Sequence, residues 1–279
     1  MNDAGLVITM NDACVAGHRE SYGYRLSPSP EVIPLAVDPS QSMHAPRRVG
    51  VSVLAVARLH PMKEYIFGLI DAIATLRREG NNDLYLTVVG DGPLRAGLIA
   101  LVREHGLEDY VSFVGTVAPS ELHAYYLKSD IFVGMGTTLL EASSHGVASV
   151  VAIGHCPEFK SPGFFSKTSG SYLGEAVSYV SSQHGMAYIR QLLAPPRLRQ
   201  EVAEDCRRKV ESEFSTESVM NRYMTKLLSA NAAVLGVPIP VRPVRYGKVR
   251  RFLKRRLGRI PLAMSLGRLA RKLIGGIDF

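Results

Sequence analysis

Arg58 and Lys63 stand five residues apart in ARLHPMKEY, residues 57–65. They fall where an apolar run ends and a helical pattern begins. Free N–H groups at a helix start already favour anions, so two cations there suit a pyrophosphate. Arginine can fork two oxygens, and lysine adds a compact charge. The plainer reading is two solvated cations at a helix entry, since isolated exposed charges contribute little. A second stretch, VGMGTTLLEASSHG at 133–146, follows another apolar run. Gly134 and Gly136 flank Met135 and let backbone approach a ligand closely. The N–H groups of Gly136, Thr137 and Thr138 open a helix and can meet anionic oxygens. Glu141 lies three residues beyond Thr138, the spacing of a capping box. The same carboxylate can instead accept two hydrogen bonds from a vicinal diol such as that of a ribose. A third stretch, GDGP at 90–93, is a turn signal first, and Gly90 alone is a weak ligand signal.

These stretches must be positioned by the elements between them. The spacing predicts a strand at Leu6–Thr9, a short helix from about Asn11 to Glu20, and a proline-spaced linker, SPSPEVIPLAVDPS. From Val51 apolar runs alternate with helical periodicity. Strands are expected at SVLAVAR, 84–90, 110–115, 130–134 and 148–154. Helices are expected at 62–78, 94–105, 119–127 and 138–145. Residues 155–186 follow no period, and two further helices are expected over 196–214 and 216–235. Near-continuous apolar strands alternating with helices predict an α/β fold, a Rossmann-like parallel sheet covered by helices on both faces. In such sheets ligands bind beyond the carboxyl ends of the strands, where all three stretches lie. The expected organisation is a leading piece over 1–48, a Rossmann-like unit over 49–236, and a basic helical tail over 237–279.

The chain has 279 residues and a formal net charge of +8. Twelve Lys/Arg and one acid fall between Arg242 and Phe279, leaving 21 bases and 24 acids for the rest. The positive excess therefore belongs to the tail, which argues against a uniformly basic nucleic-acid binder. Three scattered cysteines (Cys14, Cys156, Cys206) have no metal-ligand spacing and point to a reducing compartment. No apolar run approaches the roughly 20 residues that span a bilayer, and the first residues lack the pattern of a signal peptide.

Taken in order, the stretches resemble the C-terminal, donor-binding domain of GT-B glycosyltransferases of the family 4 type. Ala57-Arg58-Leu59 with Lys63 matches that family's G-R-L-x-x-x-K-G, and Gly90-Asp91-Gly92-Pro93 its G-x-G-P. Val111 to Gly115 matches V-x-F-x-G, and Leu122 to Asp130 follows the family pattern. Gly134, Gly136, Leu140-Glu141-Ala142 and Gly146 match E-G-F-G-x-x-x-L-E-A-x-A-x-G. VIPLAVD at 32–38 is similar to the family's interdomain linker. The resemblance covers about residues 1–235. It implies a nucleotide-sugar donor whose diphosphate meets Arg58 and Lys63, the residues that would carry catalysis by stabilising the leaving group. It implies that Glu141 holds the ribose, that Gly134, Met135, Gly136, Thr137 and Thr138 meet phosphate and sugar, and that Gly90, Thr116 and Val117 border the donor. The transfer implied is of a hexosyl group to a glycan or lipid-linked acceptor, with retention of configuration. No acidic pair suited to a divalent ion lies beside the cationic loop, so neither metal nor cofactor is expected.

The chain departs from the pattern in three ways. Val133 occupies the place of a second glutamate, and Glu64 that of a glycine. The sequence also begins within what would be the last strand and helix of an N-terminal domain. A fragment, a subunit whose partner supplies that domain, or a non-catalytic nucleotide-sugar or partner-binding module would each account for this. None of the eight histidines has a pattern that marks a catalytic role. In the tail, Val249, Leu253, Leu257 and Ile260 form one apolar stripe. Leu262, Leu266, Leu269, Leu273 and Ile277 form another beyond Pro261. Two basic amphipathic helices would suit an anionic membrane surface, or would pack on the body with a solvated basic face. Nucleic acid is not an expected partner, because aromatics for base stacking are few. The expected location is the cytoplasm, peripheral on the inner face of the membrane.

Overall fold

The computed structural model describes residues 7–22, 30–40, 42, 50–178, 180–193 and 196–235. The tail expected over 237–279 lies outside these residues. Strand β1 (Ile8–Thr9) leads into helix α1 (Asp12–Tyr22), and β1 pairs in parallel with β2 (Glu31–Val32). The central sheet then unfolds in order. It comprises β3 (Val51–Val56), α2 (Tyr65–Arg78), β4 (Leu84–Val89), α3 (Arg95–Glu104), β5 (Val111–Gly115) and α4 (Pro119–Leu127). It continues with β6 (Ile131–Gly134), α5 (Thr137–Ser144) and β7 (Ala148–Val151). Beyond it come β8 (Lys160–Ser161), β9 (Gly163–Phe164), β10 (Gln183–His184), α6 (Met186–Leu193), α7 (Pro196–Lys209) and α8 (Thr216–Leu235). The sheet order is β5-β4-β3-β6-β7-β9. Its first five strands are parallel, and β9 joins the edge antiparallel to β7.

This is the mostly parallel sheet that the apolar runs predict. Val53, Leu54, Ile131, Phe132, Val133 and Val150 are fully buried, because helices cover both sides of the strands. From β3 the chain steps one way to β4 and β5, then returns to build β6 and β7 on the other side. Right-handed crossovers therefore place α2 and α3 on one face and α4 and α5 on the other. The reversal creates a topological switch point between β3 and β6. Buried Asp130 ties these two strands together, its Oδ2 accepting the Ser52 N–H at 2.9 Å.

Several boundaries differ from the sequence-based expectation. The helix expected from Met62 begins at Tyr65. It is preceded by a 3-10 turn, Pro61–Lys63, in which the Lys63 N–H reaches the His60 carbonyl at 2.6 Å. The strand expected over 148–154 ends at Val151, and α7 closes in a π-type turn, Val210–Phe214. The proline-spaced linker does not hang free. Val37 donates to Phe214 O at 2.9 Å, Ile33 is fully buried, and Glu31 pairs with Lys226 of α8 at 3.3 Å. Among the described residues, no helix is long and apolar enough to cross a membrane.

Candidate functional site

The loops after β3 and β6 are neighbours at the switch point, so Arg58, Lys63 and the start of α5 come to one end of the sheet. Their backbones are stitched together. Thr138 Oγ1 lies 3.3 Å from both Val56 O and Met135 O, one shared donation that ties α5 to the end of β3. Arg58 is exposed and Lys63 half-buried. Burial pulls the Lys63 pKa down to about 8, and the neighbouring Arg58 charge pushes the same way, while Glu175 opposes them. Two like charges this close, one of them half-buried, favour a bound anion.

At the start of α5 the geometry divides the predicted residues. Gly136 is the N-cap, with φ of 73°, and its N–H is already donated to Leu173 O at 2.8 Å. The amides of Thr137 and Thr138, in the first turn, are those that α5 itself cannot satisfy. Gly134 is buried inside β6, and Met135 is half-buried against the core. Val133 is also within β6, paired with Val150 and fully buried.

Glu141 does not complete a capping box. No side chain caps α5, and Glu141 lies a full turn in, half-buried. Its Oε2 accepts from Tyr126 Oη of α4 at 2.8 Å. Tyr126 is 1% exposed, and burial, then the Glu141 charge and hydrogen bond, push its pKa up. His145 stacks on the Tyr126 ring at 5.1 Å, and burial lowers its pKa. One carboxylate oxygen is thus fixed by a buried phenol. Oε1 has no hydrogen-bond partner among the described residues.

GDGP is first a packing device. Gly90 donates to Gly115 O at 2.8 Å, and Leu59 donates to Asp91 O at 2.9 Å, so the loops after β3, β4 and β5 are laced edge to edge. Thr116 is exposed and Val117 half-buried, two strands away from the switch point. Of the predicted residues, these two stand apart from the Arg58, Lys63 and α5 group, whereas Gly90 packs closely on Ala57, next to Arg58.

The segment without periodicity supplies the rest of the wall. His155 donates to Met62 O at 3.1 Å, Gly154 to Gly174 O at 2.9 Å, and Gly136 to Leu173 O. Residues 154–175 therefore bridge the loops after β3 and β6. They bring in Glu175, which sequence reasoning missed. Asn11, which caps α1 through Cys14 N–H at 2.8 Å, donates its side chain to Glu175 Oε1 at 2.6 Å. Leu173 N–H donates to Glu175 Oε2 at 2.9 Å. Among the described residues, no group of three or more His, Cys, Asp or Glu could hold a metal ion.

The family model described as Glycosyl transferases group 1 matches residues 50–169. A GDP-mannose-dependent alpha-(1-6)-phosphatidylinositol monomannoside mannosyltransferase of Mycobacterium tuberculosis is 32% identical over 121 residues. That match covers 38% of this chain and 31% of the relative. An alpha-monoglucosyldiacylglycerol synthase of Streptococcus pneumoniae is 26% identical over 186 residues, 64% of this chain and 40% of the relative. The chain thus spans well under half the length of these curated relatives. Among solved structures, Anabaena HepE in complex with UDP and glucose superposes with a TM-score of 0.60 at 17% identity. It covers 80% of this chain and 62% of that one. A sucrose-phosphate synthase from Thermosynechococcus elongatus gives 0.59 at 20% identity, covering 80% and 58%. Residues 50–169 thus resemble the group 1 glycosyl transferases, and the chain has the mostly parallel α/β fold of the GT-B glycosyltransferase structures.

Proposed function

We propose that this chain is the donor-binding half of a glycosyltransferase. It takes a nucleotide-diphosphate sugar and supports transfer of the sugar to a glycan or lipid-linked acceptor. The observation that carries the reading is the convergence of Arg58, Lys63, the α5 start and Glu141 at the switch point between β3 and β6. The cations and the Thr137 and Thr138 amides meet the diphosphate, and neutralise the charge that develops on it as the glycosidic bond breaks. Glu141, oriented by Tyr126, takes the ribose diol. Thr116 and Val117 border the base. The likeness to proteins that use GDP-mannose, or that were solved with UDP and glucose, supports a nucleotide-sugar ligand of this kind. Val133, buried in β6, favours a second reading in which the module binds a nucleotide sugar without catalysing transfer. A transfer assay with and without the remainder of a two-domain enzyme separates the two.

Calorimetric titration with UDP, GDP and ADP tests the binding site. One nucleotide is expected to bind, with Arg58→Ala and Glu141→Ala each losing about 1–3 kcal/mol, the range for a hydrogen bond to a charged group. A folded wild-type chain that binds none of the three would end the proposal.

The sequence of 242–279, with its apolar stripes and basic faces, supports docking on an anionic membrane, each base near such a surface contributing roughly 1 kcal/mol. Co-sedimentation with phosphatidylserine vesicles is expected to be lost on deleting 242–279. Equal sedimentation of the truncated chain would refute the docking.

A further inference from the structure

Glu175 is poorly suited to the role its neighbours invite. It stands beside the cations assigned to a diphosphate, where a carboxylate repels phosphate oxygens. It is nonetheless held firmly, by Asn11 on one oxygen and the Leu173 amide on the other. An ionised carboxylate has about four lone-pair positions, so two remain unused. Glu175 lines a cavity of about 260 Å³, together with Ala13, Ala16 and Gly17 of α1 and with Ala176, Val177 and Ser178. The helix side of this cavity presents only Ala and Gly, so its room comes from the absence of side chains. It lies below the roughly 300–1,000 Å³ of pockets that take drug-sized ligands, and suits a single sugar ring rather than a nucleotide. The chemistry on offer is an acceptor of hydroxyl donors in a small, shaped space.

The geometry points to Glu175 as a specificity-determining residue that accepts a hydroxyl of a sugar ring seated between α1 and the 173–178 segment. This rests on the nucleotide-sugar reading above and extends it to a part of the ligand that Arg58, Lys63 and Glu141 do not touch. The Gly136 N–H at the start of α5 donates to Leu173 O and the Gly154 N–H to Gly174 O, so Glu175 follows directly on backbone bound to the α5 start, which places the ring beside the diphosphate. Asn11 acts as a positioning residue: it fixes Glu175 from α1, so the sugar site is complete only when α1 is docked. The sugar can be the one carried by the donor or one belonging to the acceptor.

Calorimetry on the full chain distinguishes these. UDP is compared with UDP-glucose, GDP with GDP-mannose, and methyl α-mannoside and methyl α-glucoside are titrated in the presence of the nucleotide that binds. Glu175→Gln is expected to leave nucleoside-diphosphate affinity intact or tightened. It should weaken the nucleotide sugar about tenfold or more, the loss of a charged hydrogen bond. A selective loss of glycoside binding instead assigns the ring to the acceptor. Ala16→Leu, which fills the cavity and keeps the carboxylate in the chain, is expected to reproduce the selective loss. If Glu175 only clips α1 to the domain, Glu175→Gln lowers the melting temperature and all ligands fall together. An unchanged ratio of sugar to diphosphate affinity in both variants would overturn the inference while the nucleotide site stands. Failure of the wild-type chain to bind any nucleotide would overturn both.

Discussion

Gly90→Ala is expected to destabilise this domain by about 2–6 kcal/mol, measured as a shifted urea midpoint at constant slope. Two independent costs add. Gly90 has φ of 122°, where an L side chain is strained by about 1–3 kcal/mol. A Cβ there would also stand 1.9 Å from Ala57 O and 2.9 Å from Ala57 C, both backbone atoms of the loop after β3. No rotamer relieves such a contact. Either β3 or β4 must shift, at a further cost of about 1–3 kcal/mol, and the bonds from Ala57 N–H to Val89 O and from Gly90 N–H to Gly115 O shift with it. Gly80 is the control. Its φ is 103°, but a Cβ there meets nothing within 4 Å. Gly80→Ala should therefore show the conformational cost alone. Equal losses in the two variants would remove the packing account. A Gly90→Ala chain of normal stability with weakened nucleotide binding would show that GDGP acts as a ligand loop.

The same contact explains what could be seen in the residues alone. GDGP is legible as a turn because glycine and proline have local preferences. That Gly90 presses on Ala57 is a parallel-pairing fact between residues far apart in sequence, and no local signal carries it. The sheet was legible for the converse reason. Strands covered on both faces read as near-continuous apolar runs, and Val53 to Ala57 and Ile131 to Val133 are such runs. The start of α2 was misplaced because helical periodicity extends back through Met62, whereas Pro61 and the Lys63 to His60 bond set a tighter turn there.

At the site, Arg58 and Lys63 stand out because they follow a strand, and Glu141 because it follows a glycine loop. Tyr126 does not stand out, since an aromatic in a short helix reads as core, which it also is. Its hydroxyl is what settles Glu141 against the capping reading. Asn11 and Glu175 were beyond reach. They meet across 164 positions, and Glu175 sits in a segment with neither the two-residue nor the 3.6-residue period. The residues hardest to read are those supplied by irregular backbone laid across the strand ends.

Nucleoside-diphosphate affinity is expected to fall as pH rises above about 8, by up to tenfold per unit, and to do so because of Lys63. The sign follows from its surroundings. Burial and the Arg58 charge depress the free Lys63 pKa from 10.5 to about 8. A bound diphosphate, being anionic, raises it again. Between the free and bound values the complex holds a proton that the free protein has lost, so affinity declines with slope of about one decade per pH unit. Below about pH 8 lysine is protonated in both states and the slope vanishes, leaving only the titration of the phosphate itself. Lys63→Arg stays charged throughout and should flatten the decline. Nucleobase ionisation is common to both proteins and cancels in the comparison. Lys63→Ala should lose about 2–3 kcal/mol at pH 7 and show no Lys63-dependent slope. Stability without ligand should move the opposite way. The unfolded chain binds the extra proton between pH 8 and 10.5, so the Lys63 contribution to folding improves across that window as pH rises. Affinity that falls equally in wild type and Lys63→Arg would place the anion elsewhere. Opposite slopes for binding and for stability, both abolished by one substitution, would require that the half-buried ammonium at the switch point is the group that waits for the phosphate.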